Sequence, residues 1–251
     1  TDIMVLFEAG MLGTDKRLLD LSACDDLRRI EWGTDYVTLG ALTTYSQVRR
    51  DDRLTKEFPN LVRAASMTGS IAIQNRGTLG GNIANASPAA DSPPALMVYD
   101  AEVRLASSAA ARWVPYATFY TQYKKTVMAM NELITHIRIP LKHWNHHFYR
   151  KVGTRQAQAI AKIVLAGAVQ GVGQHVQAIR VAVGSVAPIT LRCTHVEKEF
   201  MAGTPQDRIA RCLTALLRDI APIDDIRSTA RYRSAVCQNV LQEFLEGIHG
   251  L

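Results

Sequence analysis

The sequence has 251 residues, of which 47% are hydrophobic and 21% charged, a composition typical of a globular protein with one large domain or two modest ones. No stretch approaches the ~20 consecutive apolar residues that cross a bilayer, and no secretory signal is recognisable, so neither a membrane-spanning nor an exported protein is expected. The formal net charge is +6, but the basic residues are scattered without long runs or interleaved aromatic residues, which argues against nucleic-acid binding.

The first third of the chain mixes short strands and helices. Arg28–Trp32 and Tyr36–Leu39 alternate apolar and polar residues on either side of a Gly-Thr-Asp turn, which predicts a β-hairpin. A short helix is predicted over Tyr45–Arg50, with Thr44 as its N-cap. The apolar spacing of Asn60–Thr68 indicates a buried helix that ends at a glycine.

The middle of the chain begins with the glycine-rich segment Asn75–Asn85, which leads into a helix predicted over Ser92–Tyr99. Two strands, Ala101–Ala106 and Ala111–Pro115, are predicted on either side of a run of small residues. Leu133–Ile139 is rich in branched apolar residues and predicts a further strand, which a proline ends.

From about Lys142 the character of the sequence changes, and the polar stretch Lys142–His147 indicates a domain boundary. The elements predicted after it are a strand at His147–Lys151, a core helix in the apolar stretch Ala157–Val172, a strand at Gln177–Ser185, and helices around Thr204–Ile220 and Ser228–Glu246. The whole is therefore expected to be an α+β protein with two lobes, residues 1–142 and residues 143–251.

The cysteines are four in number and lie far apart, without a Cys-x-x-Cys pair. Their spacing provides no contiguous zinc or iron–sulfur motif and no disulfide framework, so we expect reduced thiols in a cytoplasmic protein. The histidines at positions 143, 146 and 147 have no cysteine or carboxylate at ligand spacing, and no metal site is expected there. No partnered serine and histidine form a recognisable nucleophile motif either, so no catalytic residue is assigned.

Residues 75–91, with the sequence NRGTLGGNIANASPAAD, carry the clearest functional signal. Closely spaced glycines let a backbone approach a ligand, and successive N–H groups in such a loop form an anion-binding nest. Asp91 is expected to face a hydroxyl-rich part of the ligand, because a carboxylate repels phosphate. The segment therefore predicts a loop that holds a phosphorylated cofactor, and the alternative is a glycine-rich turn in which Asp91 caps a helix.

The run Arg76–Asp91 resembles the second flavin loop of FAD-binding subunits in the xanthine dehydrogenase and carbon monoxide dehydrogenase family of molybdenum hydroxylases. Tyr149–Arg155 with Ile160-Ala161 is similar to the family segment F-x-K-x-x-x-R-x-x-x-x-I-A, with tyrosine in place of the usual phenylalanine. Thr1–Ile3 resembles the end of the first flavin loop, A-G-G-T-D-[LI], so the resemblance implies that an N-terminal part of the FAD domain is missing from this sequence.

The resemblance implies a two-lobed FAD-binding fold of the vanillyl-alcohol oxidase type plus a C-terminal lobe with a small antiparallel sheet and helices. The cofactor-binding residues carried over by it are Thr1, Asp2, Ile3, Gly69, Thr78, Leu79, Gly80, Gly81, Asn82, Asp91, Ile134 and Lys151. Lys151 is expected near the flavin ring, where a cation stabilises the anionic reduced form. Its alternative is a strand lysine with its amine in solvent. Thr68 stands where some relatives have an aromatic residue, so the group that stacks on the ring is left open.

The function implied is that of an electron-transfer flavoprotein subunit. In the family, a large subunit with molybdopterin hydroxylates the substrate, and electrons cross [2Fe–2S] clusters on a small subunit to reach FAD. The FAD then reduces NAD or another acceptor. The alternatives are a self-sufficient FAD-dependent reductase of the same fold and a flavin-free binding protein.

Overall fold

The computed structural model describes residues 1–13, 17–155, 158–172, 175–202 and 206–249. The helices up to residue 142 are short, and they are α1 (Asp2–Glu8), α2 (Tyr45–Arg50), α3 (Asp52–Glu57), α4 (Pro59–Met67), α5 (Ile71–Arg76), α6 (Leu79–Asn85) and α7 (Ser92–Val98). The strands of this part are β1 (Ile30–Trp32), β2 (Tyr36–Gly40), β3 (Glu102–Ala106), β4 (Ala111–Pro115), β5 (Tyr120–Gln122), β6 (Lys125–Thr126) and β7 (Leu133–Pro140).

The elements beyond residue 142 are β8 (His146–Val152), β9 (Ile163–Gln170), β10 (Ala178–Gly184), β11 (Leu191–Arg192), α8 (Thr194–Ala202), α9 (Arg208–Asp219) and α10 (Ala230–His249). Within the described ranges, the strands form antiparallel sheets in the orders β1-β2-β7-β3-β4, β11-β10-β9-β8 and β5-β6. The protein is therefore α+β, as predicted. No helix in the described part is both long and apolar enough to cross a membrane.

Local sequence signals account for most of the predicted elements. The hairpin β1–β2 forms across the predicted turn, with Trp32 opposite Val37. Helix α2 has the predicted bounds, and Thr44 caps it through a reciprocal pair of hydrogen bonds with Gln47. The strands predicted before and after residue 107, and the one that ends at Pro140, are also present.

The predicted core helix at Ala157–Val172 is wrong, because residues 163–170 form the strand β9. The start of that prediction, at Ala157, lies outside the described residues, as does the start of the helix predicted from Thr204. The apolar run is continuous because β9 is an inner strand, paired with β8 and β10 and buried on both faces. Its β-branched residues and a central glycine favour the strand over the helix.

The faces of the β9–β10 pair differ in side-chain size, and this difference sets where the two lobes meet. Ala166, Ala168 and Ala182 belong to the same buried cluster as the core of residues 37–144. Leu165 and Val181 point the other way, into a second cluster with α8, α9 and α10. Small side chains on the first face let α4 and α7 lie close to the sheet, so one sheet serves both cores.

Buried hydrogen bonds join the lobes across this contact. The Asn60 side chain in α4 donates to the carbonyl of Gly167 in β9 at 2.9 Å. The backbone N–H of Asn60 donates to the hydroxyl of Tyr99, which also lies 2.9 Å from Nδ1 of His147. Asp100 adds an ionic contact, since Lys142, Arg180 and Arg192 all donate to its carboxylate.

Replacing Gly167 by alanine should destabilise the fold. A Cβ atom at this position would lie 2.4 Å from a ring carbon of Phe244, which is fully buried in α10. Overpacking of this kind costs about 1–3 kcal/mol. We expect urea unfolding of Gly167→Ala to show that loss in the free energy of unfolding.

Gly247→Ala is the matched control, because Gly247 lies in α10, the helix that carries Phe244. Its Cβ would come no closer than 3.6 Å to another group, and alanine is favoured over glycine inside a helix by about 1 kcal/mol. Equal stability of the two alanine variants would contradict the close packing of β9 against α10.

Candidate functional site

A cleft of about 500 Å³ opens beside the glycine-rich segment, which is within the ~300–1,000 Å³ typical of sites for small molecules and cofactors. Its walls come from the start of α1, the ends of α4 and α5, the exposed side of α6, the turn before α7, the residues after β8, and one arginine near α10. The cleft therefore collects groups that are distant in sequence, from both lobes.

The glycine-rich segment is not an open loop but the junction of two helices. Gly77 ends α5, and Thr78 begins α6 as its N-cap, with its hydroxyl accepting the N–H of Gly81 at 3.1 Å. The N–H groups of Leu79 and Gly80 donate to the carbonyls of Thr43 and Ala41, at 3.0 and 2.8 Å. The predicted nest of free N–H groups is therefore wrong, because main-chain acceptors between β2 and α2 already use two of them.

The predicted cofactor-binding residues of this segment fall into two groups, one at the cleft and one behind it. Thr78, Gly81 and Asn82 line the cleft, whereas Leu79 and Gly80 are buried behind them. The side chain of Asn82 accepts a hydrogen bond of 2.6 Å from the hydroxyl of Ser92. Hydroxyl and amide side chains, rather than successive backbone N–H groups, therefore form this wall of the cleft.

The carboxylate of Asp91 is paired with the amine of Lys151 across the two lobes. Lys151 Nζ lies 2.7 Å from one carboxylate oxygen, Oδ2, and 3.0 Å from the carbonyl of Met67, and its side chain is only 5% exposed. Tyr149, two residues earlier on β8, donates to the main-chain carbonyl of Asp91 at 2.9 Å. Asp91 stands at the N-cap position of α7, but its side chain caps no N–H group, so the helix-cap alternative is not realised.

The other carboxylate oxygen of Asp91, Oδ1, is buried and has no hydrogen-bond partner among the described residues. Burial raises the pKa of Asp91 to about 6, and the ammonium of Lys151 and the nearby hydroxyl of Thr68 limit the rise, although that hydroxyl donates its proton to the carbonyl of Ala64. An orphaned buried acceptor is costly and is normally satisfied by a ligand, an ion or water. Since Asp91 lines the cleft, it is suited to accept a hydrogen bond from a bound molecule.

Two segments that are expected to contact the cofactor, the N-terminal residues and the glycine-rich segment, lie next to each other. Thr1 and Asp2 line the cleft, and Asn85 at the end of α6 donates to the carboxylate of Asp2 at 3.3 Å. Ile3 does not line the cleft; it lies on α1, with 54% of its surface exposed. The segments that resemble the first and second flavin loops are thus neighbours in space.

The remaining predicted residues take different positions. Gly69 lines the cleft with a φ of +56°, a conformation that favours glycine, and a Cβ there would lie 2.8 Å from Ile73. Ile134 is buried in β7, and neither it nor Lys151 lines the cleft. Lys151 contacts Asp91 instead, so its expected place beside a flavin ring stays a prediction.

Several cleft residues had no signal in the sequence. They are contributed by elements that the glycine motif does not include: Tyr45, Ile73, Gln158, Ala159 and Arg227. Ile160 also lines the cleft, and it belongs to the second segment that resembles the family. Arg227 is held at the cleft by hydrogen bonds from its guanidinium to Asp225. An isolated tyrosine, isoleucine or arginine has no characteristic spacing, so only the folded chain reveals these residues.

Comparison with known proteins gives matches over nearly the whole chain. Residues 1–142 match the family model for the FAD binding domain in molybdopterin dehydrogenase, and residues 147–248 match the model for the CO dehydrogenase flavoprotein C-terminal domain. The carbon monoxide dehydrogenase medium chain of Afipia carboxidovorans is 31% identical over 243 residues, covering 94% of this chain and 82% of that protein.

The xanthine dehydrogenase FAD-binding subunit of Escherichia coli is 27% identical over 236 residues, which cover 92% of this chain and 80% of that subunit. A solved structure of the Cu,Mo-CO dehydrogenase in its cyanide-inactivated form superposes with a TM-score of 0.90 and 25% identity. The match covers 99% of this chain and 87% of that one. The fold and both halves of the sequence are therefore similar to the same group of proteins.

Removal of the Lys151 amine should destabilise the protein in a pH-dependent way. In Lys151→Met, the carboxylate of Asp91 stays buried without its cation, which costs about 3–5 kcal/mol when it is ionised. Asp91 has a raised pKa in the folded state, so its ionisation as the pH rises through about 6 lowers the stability of the folded state. The loss should therefore be larger at pH 8 than at pH 5, as measured by urea unfolding at both values.

Two variants complete this experiment. Asp91→Asn combined with Lys151→Met removes the stranded charge and should recover much of the stability at pH 8. Lys56→Met, at an exposed position of α3, should change stability by no more than about 0.5 kcal/mol. A loss for Lys151→Met that is the same at both pH values would refute the buried pair.

Proposed function

The chain belongs to the family of FAD-binding domains of molybdopterin dehydrogenases, and from this premise we propose that it passes electrons from partner subunits to an acceptor. It is a FAD-binding oxidoreductase subunit of the molybdenum hydroxylase family. The proposal adds the route: electrons arrive from [2Fe–2S] clusters on a partner and leave to NAD or another acceptor. The match of residues 1–142 to the FAD-binding family model carries the proposal, and the orphaned carboxylate oxygen of Asp91 supports a bound ligand that donates a hydrogen bond there.

The residues of the cleft fit FAD. The hydroxyl of Thr78 and the amide of Asn82 offer donors for phosphate or sugar oxygens, and Asp91 offers an acceptor for a hydroxyl of the ribityl chain or a ribose. Gly69 and Gly81 leave room for a close approach to the backbone. We propose these residues, together with Thr1 and Asp2, as the ones that hold the cofactor.

Ile3, Leu79, Gly80, Ile134 and Lys151 have a different part in this proposal. None of them lines the cleft, so contacts from them to FAD rest on the resemblance to the family rather than on side-chain position. Lys151 acts on the site through Asp91, whose carboxylate it keeps in place. When bound, FAD supplies two-electron chemistry, and the chain supplies binding, orientation and charge.

The partners proposed are a large subunit with molybdopterin and a small subunit with [2Fe–2S] clusters. An iron–sulfur cluster needs several cysteine thiolates together, and the chain has four cysteines in all. Cys24 is exposed, while Cys193, Cys212 and Cys237 are buried and free. Burial raises the pKa values of these buried thiols, so they are protonated packing groups. Such thiols suit a reducing compartment, and we propose the cytoplasm.

We also propose residues 1–142 as the FAD-binding domain and residues 143–251 as the C-terminal lobe. The separate matches to the two family models support this division. The self-sufficient reductase remains the rival function within the same fold. It would need substrate-protonating residues at the cleft in addition to those that hold FAD.

FAD content is the direct test of the proposed site. The full-length protein should release one FAD per chain on denaturation, and Asp91→Ala should weaken FAD binding by about ten- to a hundredfold, the value of one charge-assisted hydrogen bond. Asp52→Ala, an exposed carboxylate on α3, is the control and should bind FAD as the wild type does. Chromatography of the released flavin decides the matter, and release of FMN, or of no flavin, would reject the assignment.

The isolated chain should reduce dyes but hydroxylate nothing. With NADH and an artificial acceptor we expect diaphorase activity, since a flavin site is enough for electron exchange. With purines, aldehydes or N-heterocycles we expect no hydroxylated product, because the proposal assigns molybdopterin to the large partner subunit. Hydroxylation by the isolated chain would overturn the subunit proposal, and the rival reductase would consume its own substrate without partner subunits.

A further inference from the structure

We infer that Ser92 is a positioning residue, which holds the amide of Asn82 so that its N–H groups face the cleft and read a ribityl hydroxyl together with Asp91. The inference rests on the proposed function, since it concerns how the cleft recognises FAD. It adds Ser92 and Tyr45, neither of which the sequence motif includes, to the groups that determine binding.

The hydrogen bond between Ser92 and Asn82 is short and well protected. Ser92 Oγ lies 2.6 Å from Asn82 Oδ1, and Ser92 is fully buried at the first position of α7. Asn82 is partly exposed on α6 and lines the cleft. One end of the amide is therefore held from behind, and the other end is left to face a ligand.

The direction of the hydrogen bonds follows from the neighbours of Ser92. Asn82 Oδ1 is an amide oxygen and can only accept, so the hydroxyl of Ser92, 2.6 Å away, is the donor of this hydrogen bond. Since this bond uses the single proton of Ser92, the neighbouring hydroxyl of Tyr45 can pair with Ser92 only as a donor. An amide whose carbonyl is occupied in this way presents only donors to the cleft.

A fixed donor next to a fixed acceptor is the arrangement that recognises a hydroxyl group. Asp91 precedes Ser92 in the chain, and its free oxygen, Oδ1, is an acceptor at the same cleft. Because a hydroxyl both donates and accepts, it can donate to Asp91 and accept from Asn82 at once. A phosphate oxygen satisfies the amide but is repelled by the carboxylate, so the pair selects the polyol part of the cofactor.

The test is a double-mutant cycle on the full-length protein, with FAD binding measured by titration of the flavin-free form. We expect Asn82→Ala to weaken binding by about three- to tenfold, the value of one neutral hydrogen bond. Ser92→Ala should weaken it by no more than that. Since Ser92 acts through Asn82, the double variant should bind FAD as Asn82→Ala does, within about twofold.

The matched control is Ser46→Ala. Ser46 also donates to an asparagine, at 2.5 Å from Asn75 Oδ1, but neither residue lines this cleft. It should leave FAD binding within about twofold of the wild type. A loss equal to that of Ser92→Ala would show that removal of a buried serine hydroxyl is merely structural damage and would overturn the inference.

The affinity for FAD analogues that each lack one ribityl hydroxyl distinguishes a positioning role of Ser92 from a purely structural one. With the analogue that lacks the recognised hydroxyl, Asn82→Ala and Ser92→Ala should cost no further affinity. Losses that add in the double variant, or that are the same for every analogue, would refute the positioning role. Failure of the wild type to bind FAD would instead refute the proposed function, so the two failures are distinguishable.

Discussion

The ion pair between Lys151 and Asp91 is the interaction on which the cleft depends. Lys151 comes from the sheet of the C-terminal lobe and Asp91 from the turn that precedes α7, so the pair spans the two lobes. Tyr149 and Lys151 lie two residues apart and thus on the same face of β8. Tyr149 holds the carbonyl of Asp91 and Lys151 its carboxylate, and the second carboxylate oxygen has no partner among the described residues.

In the proposed site, a cation so close to the cleft can act without contact to the cofactor. The amine of Lys151 is almost fully buried behind Asp91 and is also bonded to the carbonyl of Met67. Its charge maintains a buried carboxylate and fixes its orientation, at the expense of desolvating both groups. The proposed ligand would then meet an acceptor whose position is set before binding, which would reduce the ordering that binding requires.

The sequence predicted the elements whose signals are local and failed where partners are distant. The hairpin β1–β2 and the capped helix α2 depend on a few adjacent residues, and both were predicted correctly. The strand β9 was taken for a helix, because an inner strand and a buried helix have the same continuous apolar run. In the glycine segment, the residue types indicated a cofactor, but the acceptors of the Leu79 and Gly80 N–H groups lie more than thirty positions earlier. The pairing of Asp91 with Lys151 is equally invisible without the fold.

The alanine-lined face of β9 and β10 has a consequence for how the protein unfolds. Ala166, Ala168 and Ala182 complete the core of the first lobe although they belong to the sequence of the second. A boundary near residue 142 therefore separates two segments of sequence but not two units of stability. Cleavage there would expose the core of one lobe and leave the sheet of the other bare on one side. Because the lobes share this core, we expect them to melt in a single cooperative transition.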